Sequence, residues 1–252
     1  MPHVTANGLA FHVQELGAGR PVVMVHGLII GSLASWYFTA APALARGHRV
    51  RVYDLRGHGR SERAATGYDV RTLAGDLAAL TADLAEPFDL VGHSWGALVA
   101  LRFALDQPSR VRRLVVVEAP LPPSSVAEIG AFLEGGPDLP QRLLAALPQQ
   151  LRDAVAGGRR QADRFLKSLE YLVLETSLVD DLRAERDVSD AELARLACPC
   201  LAVYGDRSAC APAGARLARL VKDAQHLVLP GGHYLHLEAR AALTSAIEAH
   251  LG

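Results

Sequence analysis

The segment from Phe88 to Leu105 constrains this chain most. An apolar run, Phe88 to Val91, passes through Gly92-His93-Ser94-Trp95-Gly96 directly into a helical pattern that stops before Pro108. A strand that becomes a helix in so few residues must turn sharply, and glycines flank the serine so that no Cβ atoms collide. The serine hydroxyl then projects from the carboxyl end of the strand, where the helix amides favour developing negative charge. Gly-x-Ser-x-Gly alone is a weak pattern; with a strand before it and a helix after it, the pattern predicts a nucleophile turn centred on Ser94.

The rest of the chain supplies a sheet for that turn. Short apolar runs at Pro21–Val25, Arg49–Tyr53, Val111–Val117, Cys200–Tyr204 and His226–Leu229 alternate with helical patterns at Val70–Leu84, Pro212–Val221 and Ala239–Leu251. Near-continuous Val, Ile and Leu indicates strands buried on both faces, and the alternation predicts a mostly parallel α/β sheet with helices on both sides. Leu9–Glu15 alternates in polarity and reads as an antiparallel edge strand, with Gly17 and Gly19 supplying its turn. Asp69 is placed to cap the helix beginning at Val70.

From Leu121 to Arg195 the rhythm breaks. This stretch carries no Val/Ile-rich run. Helical patterns, Pro140–Val155 and Ala162–Leu182 among them, follow a proline-punctuated beginning. The expected organisation is a core of residues 1–120 and 196–252, with 121–195 inserted as a helical cap over the end of the sheet.

Composition closes off several classes of function. Of 252 residues, half are hydrophobic and 21% charged, and the formal net charge is −1. That balance carries no electrostatic footprint for nucleic acid or an anionic membrane surface. No run is long and apolar enough to span a bilayer, and the first residues lack a secretory pattern, so a cytoplasmic location is expected. Cys198, Cys200 and Cys210 make an odd set that suits reduced thiols. Cys198-Pro-Cys200 falls short of a recognisable zinc spacing, and neither a metal nor a cofactor is expected. The partner expected is a small-molecule substrate; oligomeric state is not legible.

Further motifs stand in order around Ser94. His26-Gly27-Leu28 follows the Pro21–Val25 run, Asp54-Leu-Arg56-Gly57-His58-Gly59-Arg60-Ser61 follows the next, and Gly231-Gly232-His233 follows the last. In these motifs the chain resembles the α/β-hydrolase superfamily over essentially its full length. The resemblance implies that fold, Ser94 as nucleophile and His233 as its general base. It also implies an oxyanion hole built from the amides of Leu28 and Trp95. His236 is the local competitor for the base, but it does not directly follow the glycine pair. His93 and His58 are expected to be local hydrogen-bond partners, and the Asp54–Ser61 loop to be structural.

The third member of the triad departs from the superfamily pattern. Most relatives carry an acid at the position held here by Ser208, which offers no carboxylate. Two acids remain. Asp206 stands two residues earlier in the same loop. Glu118 ends the Val115-Val-Val run, 24 residues after Ser94, where a minority of the superfamily, including zearalenone-type lactone hydrolases, places its acid. A carboxylate ending a buried strand is costly unless it is paired. An imidazole N–H would supply the pair. Glu118 is preferred on that ground, with Asp206 as the alternative.

The resulting expectation is a serine hydrolase that cleaves a carboxylic ester or lactone of a small hydrophobic molecule through an acyl-enzyme. Trp36, Phe132, Phe165, Tyr171 and Leu172 are candidate pocket walls. Thioester or C–C hydrolysis, or a non-catalytic ligand-binding role on the same fold, are the rival readings.

Overall fold

A computed structural model describes residues 3–121 and 159–252, together with isolated positions between 141 and 153. The sheet has eight strands: β1 (His3–Ala6), β2 (Leu9–Leu16), β3 (Arg20–Val25), β4 (His48–Tyr53), β5 (Phe88–His93), β6 (Val111–Val117), β7 (Cys200–Gly205) and β8 (Ala224–Leu229). Their spatial order is β1-β2-β4-β3-β5-β6-β7-β8. From β4 onward every pairing is parallel, whereas β2 runs antiparallel to both β1 and β4.

The alternation within strands divides the core in two. On β3, Val23 and Val25 face one apolar cluster and Val22 and Met24 the other; on β6 the split is Leu114 and Val116 against Val115 and Val117. All eight side chains are fully buried. The first cluster is covered by α3 (Val70–Leu80), α4 (Trp95–Asp106) and α8 (Ala211–Leu220). The second lies under α2 (Ala41–Leu44) and α10 (Arg240–Leu251). At about 25 cal/mol per Å² of buried apolar area, these two layers are the main favourable term in folding.

Three expectations need correction. Residues Leu9–Leu16 do form an antiparallel strand, but β1 pairs outside it, so it is not the edge. The connecting turn is Asn7-Gly8, both at positive φ (49° and 78°), the backbone that a two-residue hairpin requires. The helix from Val70 ends at Leu80 rather than Leu84. There Arg51 Nη1 donates to the Leu80 carbonyl at 2.6 Å and Arg110 Nη2 to the Thr81 carbonyl at 2.8 Å, drawing off oxygens a longer helix would use. The helix expected over Ala162–Leu182 is two, α5 (Arg159–Leu174) and α6 (Leu178–Ala184). Thr176 folds its hydroxyl back onto the Leu172 carbonyl, and Ser177 N–H leaves the helix to donate to Ala65 O at 2.8 Å.

Helices α5 and α6 dock where parallel strands end. Asp181 accepts from Tyr68 N–H at 2.8 Å and Glu185 from Val70 N–H at 2.7 Å, while Leu169, Leu172, Leu178 and Leu182 join the first core cluster. The loop they grip follows β4, so these helices sit at the carboxyl edge of the sheet, the edge that also carries Ser94. The Pro140–Val155 pattern lies largely outside the described residues. No helix among the described residues is long and apolar enough to cross a membrane.

Candidate active site

Ser94 occupies a strained corner. Its φ and ψ are 55° and −123°, a conformation that a side-chain-bearing residue adopts only when the surroundings enforce it. The enforcement is visible on both sides. A Cβ on Gly92 would stand 2.4 Å from the Gly96 carbonyl oxygen, and one on Gly96 would stand 2.3 Å from that of His26. Only hydrogen fits at either place, so β5, α4 and the end of β3 close around the serine.

His233 arrives from the loop after β8. Its Nε2 lies 2.9 Å from Ser94 Oγ and its Nδ1 lies 3.2 Å from Glu118 Oε2. Glu118 is fully buried and also sits at positive φ, 56°, directly after β6. Its carboxylate is held further by the Gly205 amide and the Ser208 hydroxyl, both of which donate to it. Asp206 takes no part in this chain of contacts. It is exposed, and its Oδ1 accepts from Gly231 N–H at 2.9 Å. Of the two candidate acids, the fold therefore brings Glu118 to the imidazole and leaves Asp206 shaping the loop.

Burial by itself pushes the His233 ring down, but hydrogen bonds with Cys210 and Glu118 outweigh it and raise the group to about 9. The other histidines lie on the opposite side of the scale. His58 donates from Nδ1 to Arg56 O at 2.8 Å and accepts at Nε2 from Ile29 N–H at 2.9 Å. His26 donates to Gly27 O at 2.7 Å and accepts from Leu55 N–H at 2.9 Å. Full burial lowers both, His58 to about 3, so both rings are neutral. Together they fix the 26–31 turn that carries the Leu28 amide. His93, on the elbow, reaches the His233 carbonyl from Nε2 at 2.8 Å and steadies its loop.

The Leu28 and Trp95 amides stand on the two turns flanking Ser94, and neither donates to an acceptor among the described residues. Trp95 is the first residue of α4, where helix geometry leaves amides free. The Asp54–Ser61 loop is structural: Asp54 accepts from Leu33 N–H, Arg60 N–H and His12, and Arg56 pairs with the fully buried Asp76 at 2.7 Å.

A cleft of about 490 Å³ opens at Ser94 between the 27–39 segment and the 233–240 segment. Ile30, Phe38 and Leu237 give it apolar walls, and Ser35, Thr39 and His236 add polar ones. The four described residues expected from sequence as walls lie elsewhere. Trp36 is fully buried beneath, its Nε1–H donating to Val25 O at 3.0 Å. Phe165 packs on the first core cluster, Leu172 is buried within it, and Tyr171 donates to Ala64 O with Arg63 stacked 4.5 Å above its ring. Phe132 lies outside the described residues. Helical amphipathicity locates a helix's buried face but not what it faces, so a core position and a pocket position look alike.

Residues 20–152, which contain the His26-Gly27 turn and the elbow, match the family model of the alpha/beta hydrolase fold. The chain belongs to that family. Among α/β-hydrolase relatives, the putative carbamate hydrolase RutD of Variovorax paradoxus is 32% identical over 249 residues, covering 93% of this chain and 92% of that one. The soluble epoxide hydrolase of Corynebacterium sp. is 39% identical over 115 residues, covering 44% of this chain and 39% of the relative. The chain thus matches well under half the length of that enzyme. A solved hydrolase from Pseudomonas aeruginosa superposes with a TM-score of 0.81 at 26% identity, covering 100% of this chain and 98% of that one.

Sequence reasoning did not find Cys210, Ser208 as a donor to the acid, or the cleft-lining Phe38. Cys210 precedes α8 in the loop that usually carries the acid, so its position in that loop was the available signal. Cys198, just before β7, and Cys200, its first residue, are buried in the core, and burial pushes both thiols up.

Proposed function

We propose that this protein is a serine hydrolase that opens a carboxylic ester or lactone of a small molecule through an acyl-enzyme. The observation that carries the reading is the continuous line from Ser94 Oγ through His233, at 2.9 Å and 3.2 Å, to the buried carboxylate of Glu118. In its neutral form, which gains weight as pH rises toward about 9, His233 takes the Ser94 proton at Nε2 as Oγ attacks the carbonyl carbon, and Glu118 holds the Nδ1–H tautomer and stabilises the imidazolium. The Leu28 and Trp95 amides hold the oxyanion; each such donor contributes roughly 3 kcal/mol to the transition state. The imidazolium then protonates the leaving oxygen, and water activated by the same ring releases the acid.

A serine nucleophile distinguishes this chemistry from that of epoxide hydrolases on this fold, which attack with a carboxylate. The cleft suits a compact substrate resting against Ile30, Phe38 and Leu237, with the described helices α5 and α6 acting as part of a cap at the same edge of the sheet.

The test is labelling with a fluorophosphonate together with a panel of activated esters and lactones. Ser94 in the native protein takes the label and Ser94→Ala does not. An unlabelled native protein, or a Ser94→Ala protein that still turns over the best substrate, refutes the mechanism.

A further inference from the structure

Cys210 has no part in the hydrolytic scheme, yet its thiol stands inside the site. One ligand atom each from Glu118, Cys210 and His233 lies within 4.8 Å of the other two, and this is the grouping of its kind among the described residues. The three come from separate anchors: the end of β6, the residue before α8, and the loop after β8. Glu118 and His233 are already 3.2 Å apart. A tetrahedral ion with bonds of about 2.0–2.1 Å to nitrogen and oxygen holds those atoms about 3.3–3.4 Å apart, with a thiolate at about 3.6 Å from each. The carboxylate–imidazole edge therefore has the required length, and the thiol lies within 4.8 Å of both partners.

The surroundings fit an ion as well. Sulfur, imidazole and carboxylate together select a borderline-soft cation over magnesium or calcium, which take oxygen ligands. A thiolate and a carboxylate neutralise a divalent charge, which suits a site where Glu118 is wholly buried. Ser208 and the Gly205 amide donate to the Glu118 oxygens, and Ser208 Oγ accepts from Cys210 N–H at 3.1 Å. Outer contacts of this kind orient metal ligands.

We propose that Glu118, Cys210 and His233 bind Zn²⁺ or a similarly thiophilic divalent cation, and that its binding reversibly silences Ser94. The ion takes the Nδ1 lone pair of His233: the charged ring gives its Nδ1 proton to solvent and keeps the one on Nε2, and the neutral ring moves its proton from Nδ1 to Nε2. Cys210 becomes a thiolate and releases its one proton to solvent. With Nε2 protonated, no lone pair remains to accept the Ser94 proton, and attack stops. No electron changes hands, and a chelator reverses every step. The silencing half rests on the proposed hydrolytic mechanism; the binding half does not.

The experiment titrates Zn²⁺ into metal-free native protein, Cys210→Ser and Ser94→Ala. Binding is read by calorimetry and by the thiolate charge-transfer band of a Cd²⁺-loaded sample, folding by circular dichroism, and ester turnover in parallel. Native protein and Ser94→Ala each bind one equivalent with equal affinity, and Cys210→Ser binds at least about tenfold more weakly and lacks the band. Native turnover falls as the site fills and returns with chelator. No stoichiometric binding by native protein, or equal binding by folded Cys210→Ser, overturns the site. Full turnover at saturation overturns the silencing. If native protein hydrolyses no ester, the hydrolytic reading fails, while the isotherms and the band still decide the metal site.

Discussion

Ser208 donates its hydroxyl to Glu118 Oε2, so the residue at the superfamily's usual acid position now supports a carboxylate that directly follows another strand, β6. The same oxygen is 3.2 Å from His233 Nδ1, which places both loci for a carboxylate within reach of one imidazole. Replacing Glu118 by Gln keeps shape but removes the charge that holds the tautomer, and kcat for the best ester should fall on the order of 10³–10⁴-fold. Adding Ser208→Asp to that variant should recover a measurable part of the loss. Asp206→Asn, which alters contacts to Gly231 and Arg207 and none to His233, should stay within a fewfold of native. A crippled Asp206→Asn beside a fully active Glu118→Gln would reverse the assignment.

The elbow stores strain that its chemistry requires. Ser94 at φ 55° sits in a conformation costing about 1–3 kcal/mol for a residue with a Cβ. Ser94→Gly relieves that strain and surrenders some unfolded-state restriction in return, for a net gain of about 1 kcal/mol. Urea unfolding should show a higher midpoint for this inactive variant. Gly96→Ala should do the opposite, because its methyl group would meet the His26 carbonyl oxygen at 2.3 Å in a wall made of backbone. A loss of about 1–3 kcal/mol is expected. Equal midpoints for all three proteins would show that the corner is not under tension.

How much of this was legible beforehand follows from the range over which each cause acts. The elbow and the HG turn were readable because their constraint is local: a strand, a tight turn and a helix leave their mark on consecutive residues. The strands were readable because a sheet covered on both faces demands unbroken apolar runs such as Val115-Val-Val. The choice between Glu118 and Asp206 could be narrowed by burial cost but not closed, since it depends on where a loop 115 residues away returns His233. The pocket walls were not legible at all. Trp36 satisfies an amphipathic pattern equally well below the cleft or inside it, and only packing distinguishes them. The Asn7-Gly8 hairpin, by contrast, is written plainly in the sequence, as a residue pair that accepts positive φ at both positions.

Arg56 and Asp76 tie the Asp54–Ser61 loop to α3 through a bidentate contact at 2.7 Å on each arm, with Asp76 wholly buried. Removing the guanidinium leaves that carboxylate with Asn7 Nδ2, at 2.9 Å, as its remaining donor among the contacts around it. Breaking one side of such a pair typically costs about 3–5 kcal/mol. Arg56→Met should therefore lower the unfolding free energy by about that amount, whereas the double variant Arg56→Met/Asp76→Leu should regain most of it. A double variant as unstable as the single one would mean that the loop is held by something other than the ion pair.

The buried His26 and His58 make the fold sensitive to acid in a definite sense. Burial, first of the causes in each case, holds both below their ordinary value, His58 at about 3. Above pH 6.5 both rings are neutral folded or unfolded, and stability carries no penalty. As pH falls through 6.5 the unfolded chain gains protons that the folded chain refuses, so stability drops steadily toward pH 3. At about 1.4 kcal/mol per pH unit per group, His58 alone removes about 2 kcal/mol between pH 7 and pH 5. His233, held up to about 9, acts with the opposite sign: its contribution is complete below 6.5 and fades only as pH rises toward 9. It therefore cannot mask the loss on the acid side. Urea unfolding at pH 7, 6 and 5 measures the slope directly, and a flat profile would mean that the two rings accept protons within the fold. The consequence reaches the active site, because His58 Nε2 holds the Ile29 amide only through a lone pair. Protonating that nitrogen breaks the contact and loosens the turn that presents Leu28.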